Sequence, residues 1–473
     1  MRWLLLLHRY LGIGVGALML MWCVSGVVMM YIGYPALDAN LRLEKLAPVD
    51  WSGCCRMSDA LLAGFSRVEN GQIEMLAGRP VLRANLRLID LTTGSSIDRV
   101  SAEQATAVAL AFVKGSPTAA PPFVLIDYDQ WTVSGEFDAD RPLYRFALGD
   151  QLQTELYVSS ATGRAVQITT AGERFWNWLG AVPHWLYFAE LRRNAWLWSQ
   201  VVIYTALLGC FLAGIGIYIG VRQMTVQPAG RWSPYRGFNQ WHHLAGLVFG
   251  VFTLTWVMSG LLSMNPWGLL EGGGAQAERA HLRGPDPSAG HFMEALRAFV
   301  SSPPPGAVSI SAAPLDGRLF FIAASTRGER HRFDAGAVDA PLKDADLSYV
   351  ARTLSGQGPS VFPSLMTQED RYYFSHHRET ASLPVYRVTL RDGSGTRYYI
   401  DSVSGMPVAK FDRAGQAYRW WQEALHRMDF SAALRVRPWW DALMLLLMSG
   451  VTLLCATGAY LGFRRIARRA PKP

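Results

Sequence analysis

The sequence predicts a membrane protein of four transmembrane α-helices carrying two periplasmic α+β domains, the whole built by internal duplication. Three observations predict it. Four apolar segments are long enough to cross about 30 Å of hydrocarbon. Stretches of about 160 and about 170 residues separate the first from the second and the third from the fourth. The second half of the chain also repeats the first. With 473 residues, half of them apolar, 12% aromatic and a mean hydropathy of +0.10, the chain is too long for one domain and too apolar for an ordinary cytosolic protein.

Residues 1–34 hold the cytoplasmic end and the first transmembrane helix, apolar from Leu11 to Tyr34. This segment outruns the 7–15-residue apolar region of a signal peptide and has no small-x-small cleavage site after it, so it reads as a retained anchor. Residues 35–172 form the first outer domain. Ser58 to Val68 reads as a short helix, Val81 to Ile97 as a hairpin turning at Thr93-Gly94, and Ser101 to Phe112 as a helix opened by a Ser101/Gln104 capping box. Strands follow from Pro142 to Leu148 and from Thr154 to Thr169, the latter turning at Thr162-Gly163. Residues 173–222 hold an aromatic approach and the second transmembrane helix (Ala195 to Gly220), 223–240 a cytoplasmic loop, and 241–267 the third helix, apolar from Leu244 to Trp267. The second outer domain, 268–415, follows the same plan: helices near His291 to Val300 and from Asp344 to Leu354, strands around Arg318 to Ala323 and from Pro384. Residues 416–463 repeat the aromatic approach and give the fourth helix (Trp439 to Phe463), and 464–473 form a basic tail.

Orientation follows from charge. The loop between the second and third helices carries Arg222, Arg231 and Arg236 without an acid, and the tail carries Arg464, Arg465, Arg468, Arg469 and Lys472. The positive-inside rule places these and both termini in the cytoplasm. The net charge of +8 is thereby accounted for, with no nucleic acid as partner and membrane lipid as the surroundings.

The duplication is exact enough to align by eye. From His8 to Gly26 against His242 to Gly260, seven of nineteen positions are identical at an offset of 234. From Pro142 to Phe188 against Pro384 to Phe430, thirteen of 47 are identical at an offset of 242, among them Tyr144/Tyr386, Arg145/Arg387, Tyr157/Tyr399, Gly163/Gly405, Trp178/Trp420 and His184/His426. The same offset runs on through Gly216/Gly458, Tyr218/Tyr460 and Gly220/Gly462.

Four of the ten histidines therefore stand at equivalent places. His8 and His242 fall at the cytoplasmic ends of the first and third helices, and His184 and His426 precede the second and fourth on the outer side. Repeat-related positions face one another across a pseudo-twofold axis, and two facing imidazoles on helices are what a six-coordinate b-type haem requires. His8, Gly12 and Gly16 share one helix face, as do His242, Gly246 and Gly250, because residues four apart stack. Such bare faces suit a flat macrocycle, and they equally suit close helix packing. His243 competes with His242, although it lies about 100° around the helix from the glycines. The outer pair sits among Phe175, Trp176, Trp178, Trp420 and Trp421, which suit either a haem edge or a membrane-surface belt.

Other candidates have plain alternatives. His281, His291, His331, His376 and His377 belong to the second outer domain only, as metal or chelate ligands or as solvent residues. Met29, Met30 and Met264 read as packing before copper ligands. Cys23, Cys210 and Cys455 lie in apolar segments, whereas Cys54 and Cys55 lie outside, where a redox or soft-metal role competes with an ordinary loop pair. No Cys-x-x-Cys-His, glycine-rich nucleotide motif, Walker loop or Gly-x-Ser-x-Gly elbow occurs, which excludes covalent haem and a flavin or nicotinamide domain. Electrons must come from a cytoplasmic partner or from quinol.

The His-Arg-Tyr-x-Gly start of the first helix, Trp241-His242 at the third, the Pro-Leu-Tyr-Arg and Pro-Val-Tyr-Arg strands, the Tyr…Thr-Gly and Tyr…Ser-Gly hairpins, and His184 and His426 before the even helices make a recognisable set. Over nearly its full length the chain resembles the PepSY-associated transmembrane family, iron-regulated inner-membrane proteins. The resemblance implies PepSY-like outer domains, His8, His242, His184 and His426 as haem ligands, and, as in some members, release of iron from siderophores by reduction in the periplasm. His243 beside His242 and the Cys54-Cys55 pair depart from the pattern. The resulting expectation is an inner-membrane protein with two b haems that passes electrons to a ferric siderophore or other periplasmic acceptor. Trp131, Tyr144 and Tyr386 are candidates to touch that acceptor or to pack the core. A non-enzymatic module that engages a periplasmic protein or peptidase is the rival, with a transporter subunit behind it.

Overall fold

The computed structural model describes residues 1–58, 67–113, 119–225, 232–356, 358, 362–376 and 380–467. Most of the helix expected at Ser58 to Val68 lies outside them, as does His377. The chain divides into two compact units: residues 1–34, 173–272 and 414–473 in one, and 35–172 with 273–413 in the other.

The first unit contains four helices apolar and long enough to cross a membrane: Arg2–Met29, Ala195–Thr225, Phe238–Ser263 and Trp439–Ala467. Two begin earlier than hydropathy alone marks, at Arg2 and Phe238, because backbone hydrogen bonding continues through polar residues that a transfer scale rejects. His8 and His242 thus lie nearly two turns and one turn inside their helices. The first span packs against the second and fourth, and so does the third, which sets the first and third at opposite corners of a square. Val15, Met19, Leu212, Val451 and Cys455 form an apolar layer at its middle.

In the second unit the first half contributes β1 (Gln72–Leu76), β2 (Arg79–Ala84), β3 (Arg87–Asp90), β4 (Ser95–Ile97), β5 (Phe123–Ile126), β6 (Leu143–Ala147), β7 (Glu155–Ser159) and β8 (Ala165–Thr169). The second half contributes β9 (Ser309–Ala312), β10 (Phe321–Ala324), β11 (Arg330–Phe333), β12 (Ser364–Met366), β13 (Val385–Thr389), β14 (Arg397–Asp401) and β15 (Pro407–Phe411). Each half forms one four-stranded antiparallel sheet, in order β5-β6-β7-β8 and β12-β13-β14-β15. They agree in register, Leu143 opposite Ser159 and Val385 opposite Asp401, and in a bulge between Tyr157 and Val158 and between Tyr399 and Ile400.

The remaining strands behave differently from two separate domains. They join in one seven-stranded sheet, β11-β10-β9-β1-β2-β3-β4, whose central pairing β1–β9 unites the two halves with Ile73 opposite Ile310. Beneath it Leu82 and Ile89 of the first half share a core with Phe292, Phe299 and Phe321 of the second.

The capping box at Ser101 and Gln104 forms as the sequence predicts, and Gly163 and Gly405 turn their hairpins at φ of 68° and 75°. The expected hairpin from Val81 to Ile97 is divided by a second turn at Asn85-Leu86, both at positive φ, a conformation that Leu rarely accepts and that composition does not announce. Cys54 and Cys55 are disulfide-bonded to each other.

Candidate functional site

The four repeated histidines come together as two pairs. His8 and His242 have ring centroids 6.2 Å apart, and His184 and His426 have theirs 6.3 Å apart. Two imidazoles on opposite sides of one metal have centroids about 6 Å apart, because each bond is about 2 Å and a ring centre lies about 1.1 Å behind its nitrogen.

Each ring is oriented by a neighbouring helix. His8 Nδ1 lies 3.2 Å from the Leu212 carbonyl, and His242 Nδ1 lies 3.2 Å from the Leu454 carbonyl and 3.3 Å from Thr457 Oγ1. His184 Nδ1 meets the Trp22 carbonyl at 3.1 Å and Ser25 Oγ at 3.2 Å, while His426 Nδ1 meets Ser259 Oγ at 3.0 Å and the Trp256 backbone. A carbonyl can only accept, so in all four rings Nδ1 carries the proton and Nε2 is the nitrogen left to bind a metal. Burial pushes both outer imidazoles, His184 and His426, down to about 4, which keeps them neutral and able to coordinate.

The glycines that matter to the rings are not on the histidines' own helices. A Cβ at Gly216 would stand 2.8 Å from His8 Cε1, and one at Gly458 2.9 Å from His242 Cε1. Gly26 and Gly260 serve His184 and His426 at 3.2 and 3.8 Å. Both are repeat-related couples, and no spacing rule within one helix could reveal them. Of the glycines expected to form the groove, Gly250 is a packing site, its Cβ position 2.9 Å from Ile217, and Gly12 and Gly246 face Leu212 and Leu454. Gly16 is buried, yet a Cβ there would meet nothing within 4 Å, so room remains beside the first span.

His243, the alternative to His242, has both ring nitrogens engaged. Its Nδ1 bonds Ser233 Oγ at 3.0 Å and its Nε2 bonds the Gly220 carbonyl at 3.0 Å, so both nitrogens tie the connection to the second span.

The outer histidines owe their positions to two short segments that sequence patterning reads poorly. Helix Ala171–Leu179 and the turn Ala181–Trp185 carry His184, and Leu186 at φ 52° ends the turn. In the second half the chain runs through Arg413–Tyr418, a π-helical stretch Arg419–Ala424 and the turn Leu425–Arg427, ended by Met428 at φ 54°. Asn177, fully buried, donates to the carbonyls of Gly33 and Glu173. At its repeat position Arg419 is equally buried and bonds Asp429 at 2.8 Å, clamping the residues on either side of His426.

Trp22 and Trp256, again repeat-related, each enclose an indole N–H that has no acceptor among the described residues. A buried unpaired donor is costly, and two at equivalent positions fit a polar group the protein does not itself supply. The donor sets and the ring separations suit a b-type haem at each pair.

The other sequence candidates disperse. Among the described residues no three His, Cys, Asp or Glu side chains gather as a metal site. Trp131 is buried, Tyr144 bonds the Val100 carbonyl, and Tyr386 packs in the core of the second half. Identical residues of the repeat instead build matched triads: Tyr157 and Arg145 bond Asp129, and Tyr399 and Arg387 bond Asp370.

A search of curated proteins finds no match to the chain. The profile of the family described as the PepSY-associated TM region matches residues 5–465. The match covers both halves of the duplication with all four spanning helices, and the chain belongs to the PepSY-associated transmembrane family.

Proposed function

We propose that this protein is an inner-membrane b-type haem protein that carries electrons across the bilayer, with both termini cytoplasmic, and reduces a ferric siderophore in the periplasm. The observation that carries the reading is the repeated pair of half-buried imidazoles at the separation of two ligands on one metal, each with Nδ1 engaged. His8 and His242 would hold the inner haem b and His184 and His426 the outer one. Bound there, haem supplies one-electron chemistry, its iron alternating between ferric and ferrous.

The protein's own residues set the conditions. The Leu212, Leu454, Trp22 and Trp256 carbonyls fix each ligand's tautomer and raise its basicity. Fourteen residues separate His8 from Trp22 and His242 from Trp256, about 21 Å along a helix, so the two pairs span much of the hydrocarbon thickness. The middle of the bundle is packed with the apolar Val15, Met19, Val451 and Cys455, which counts against the transporter reading. The donor is a cytoplasmic protein or quinol. Reduction releases iron because oxygen-rich chelators hold the hard ferric ion far better than the ferrous one.

The test is a reduced-minus-oxidised absorption spectrum of the detergent-purified protein with pyridine haemochrome quantitation, on wild type, His8→Ala and His184→Ala. A b-type spectrum with about two haems per chain, falling towards one in each variant, is the expected result. A colourless wild type from haem-replete cells overturns the proposal and leaves a PepSY binding module for a periplasmic protein.

A further inference from the structure

The first half of the α+β unit buries a carboxylate among more cations than it can serve. Glu74 on β1 is 1% exposed. Its oxygens accept from Arg42 Nη1 at 3.0 and 3.1 Å, Gln72 Nε2 at 2.9 Å and Arg83 Nη1 at 3.0 Å. A carboxylate offers about four lone-pair sites, so Glu74 is saturated. Arg164 stands 3.8 Å from it, beyond a hydrogen bond, and its Nε is enclosed without a partner among the described residues.

The surrounding charges do not cancel. Asp140, the other acid felt by Arg83 and Arg164, accepts from Thr162 Oγ1, and Lys45 pairs with Glu44. Three guanidiniums against Glu74 and Asp140 leave one positive charge over. Burial, with Arg164 and Arg42 alongside, brings Arg83 down to about 10 in spite of Glu74. These cations line a cavity of about 220 Å³ together with apolar residues that include Val108, Ala111 and Phe112. At the repeat positions of Arg164 and Asp140 the second half has Met406 and Ser382, and its own buried carboxylate, Asp346, is held by two guanidiniums, Arg318 and Arg332, rather than three.

We propose that this cavity binds a small organic oxyanion, its carboxylate or phosphate on the surplus Arg164 guanidinium and its apolar body against Val108, Ala111 and Phe112. A guanidinium grips such a group through two parallel N–H bonds, and an anion here neutralises the charge that Glu74 leaves uncovered. The assignment does not depend on haem.

Isothermal titration of the full-length protein in detergent tests it, at constant ionic strength, with inorganic phosphate, acetate, butyrate and succinate as probes. Saturable binding is expected, at least tenfold weaker in Arg164→Met, the residue the second half carries, and unchanged in Arg352→Met, at an exposed position of the helix Asp344–Ser355 in the second half. Tighter binding of butyrate than acetate identifies an organic acid as the ligand class, and binding of phosphate above all carboxylates identifies a phosphoryl group. If Arg164→Met does not fold, Arg164→Lys keeps the charge, loses the fork and is expected to bind severalfold more weakly. Absence of saturable binding of every probe to the wild type, or undiminished binding in a folded Arg164 variant, overturns the proposal.

Discussion

A histidine becomes a candidate ligand here through the atoms around its ring. Alanine at Gly458 would bring its Cβ to 2.9 Å from His242 Cε1, and at Gly216 to 2.8 Å from His8 Cε1, closer than carbon atoms pack. Either substitution is expected to displace its imidazole and, on the proposed reading, to remove the haem held by His8 and His242, halving the haemochrome yield per chain with the spectrum of the other proposed haem retained. His243→Ala gives the opposite outcome. It removes the two hydrogen bonds by which His243 ties Ser233 to the Gly220 carbonyl of the second span, at about 0.5–1.5 kcal/mol each, so thermal unfolding should come earlier, and on the proposed reading haem content should be unchanged. The four histidines were legible because the duplication marks them twice. Helical register favours His242 over His243, and in the structure His242 pairs with His8 while His243 bonds Ser233 and Gly220. The supporting glycines are marked by the same duplication, but their role is not legible because a ring's neighbour across a helix interface has no fixed separation in sequence.

Elements carry the outer pair, and two of them are inside out. In Ala171–Leu179 the buried side is Asn177, while Phe175 is 61% exposed and Trp176 46%. In the second half Arg419 and Asp429 are buried while Trp421 is 58% exposed. The exposed rings would be costly in water and suit the headgroup boundary of a bilayer, while the buried Asn177 and the Arg419–Asp429 pair are compensated by their hydrogen bonds. A sequence reader who assigns apolar residues to the core therefore misplaces these segments, although their aromatic content is plain. The elements of the α+β unit obey the ordinary rule and were read more nearly correctly, apart from the unannounced turn at Asn85-Leu86. Their acids also predict a pH response. Burial pushes Glu74 and Asp401 upward, but Arg83 and Arg42 beside the first, and Ser404 and Arg330 beside the second, outweigh it and hold both below the usual carboxylate range. Asp370 is held down in the same way by the backbone of Tyr373 and Tyr372 and by Tyr399. A folded pKa below the unfolded one means that the unfolded chain takes up protons first, so this stability is complete above about pH 5 and is lost as pH falls through the folded values. The midpoint of thermal unfolding should be flat from about pH 6 to 8 and drop steadily below about pH 4.5, and Asp401→Asn should flatten that drop.

At the scale of the whole chain the duplication was legible and its joining was not. Repeats reveal that two modules share a plan, but an edge strand's partner depends on which backbone groups are left unpaired, and that leaves no pattern in side chains. Separated, the modules would expose the edges of β1 and β9; paired, they satisfy each other across Ile73 and Ile310, and one core runs beneath both. Two modules that merely neighboured one another would unfold independently, and a lesion in one would leave the other's transition in place. A shared sheet and core must instead fail together. Ile310 is 1% exposed at this seam, so Ile310→Ala should cost about 2–5 kcal/mol. Hydrogen exchange measured by mass spectrometry on the detergent-purified protein reads where that loss falls. Peptides covering β2 (79–84) in the first half and β10 (321–324) in the second should accelerate by the same factor, because both report one cooperative opening. Acceleration confined to the second half would mean that the seam carries no coupling, and that the seven strands form one sheet in geometry but two in energy.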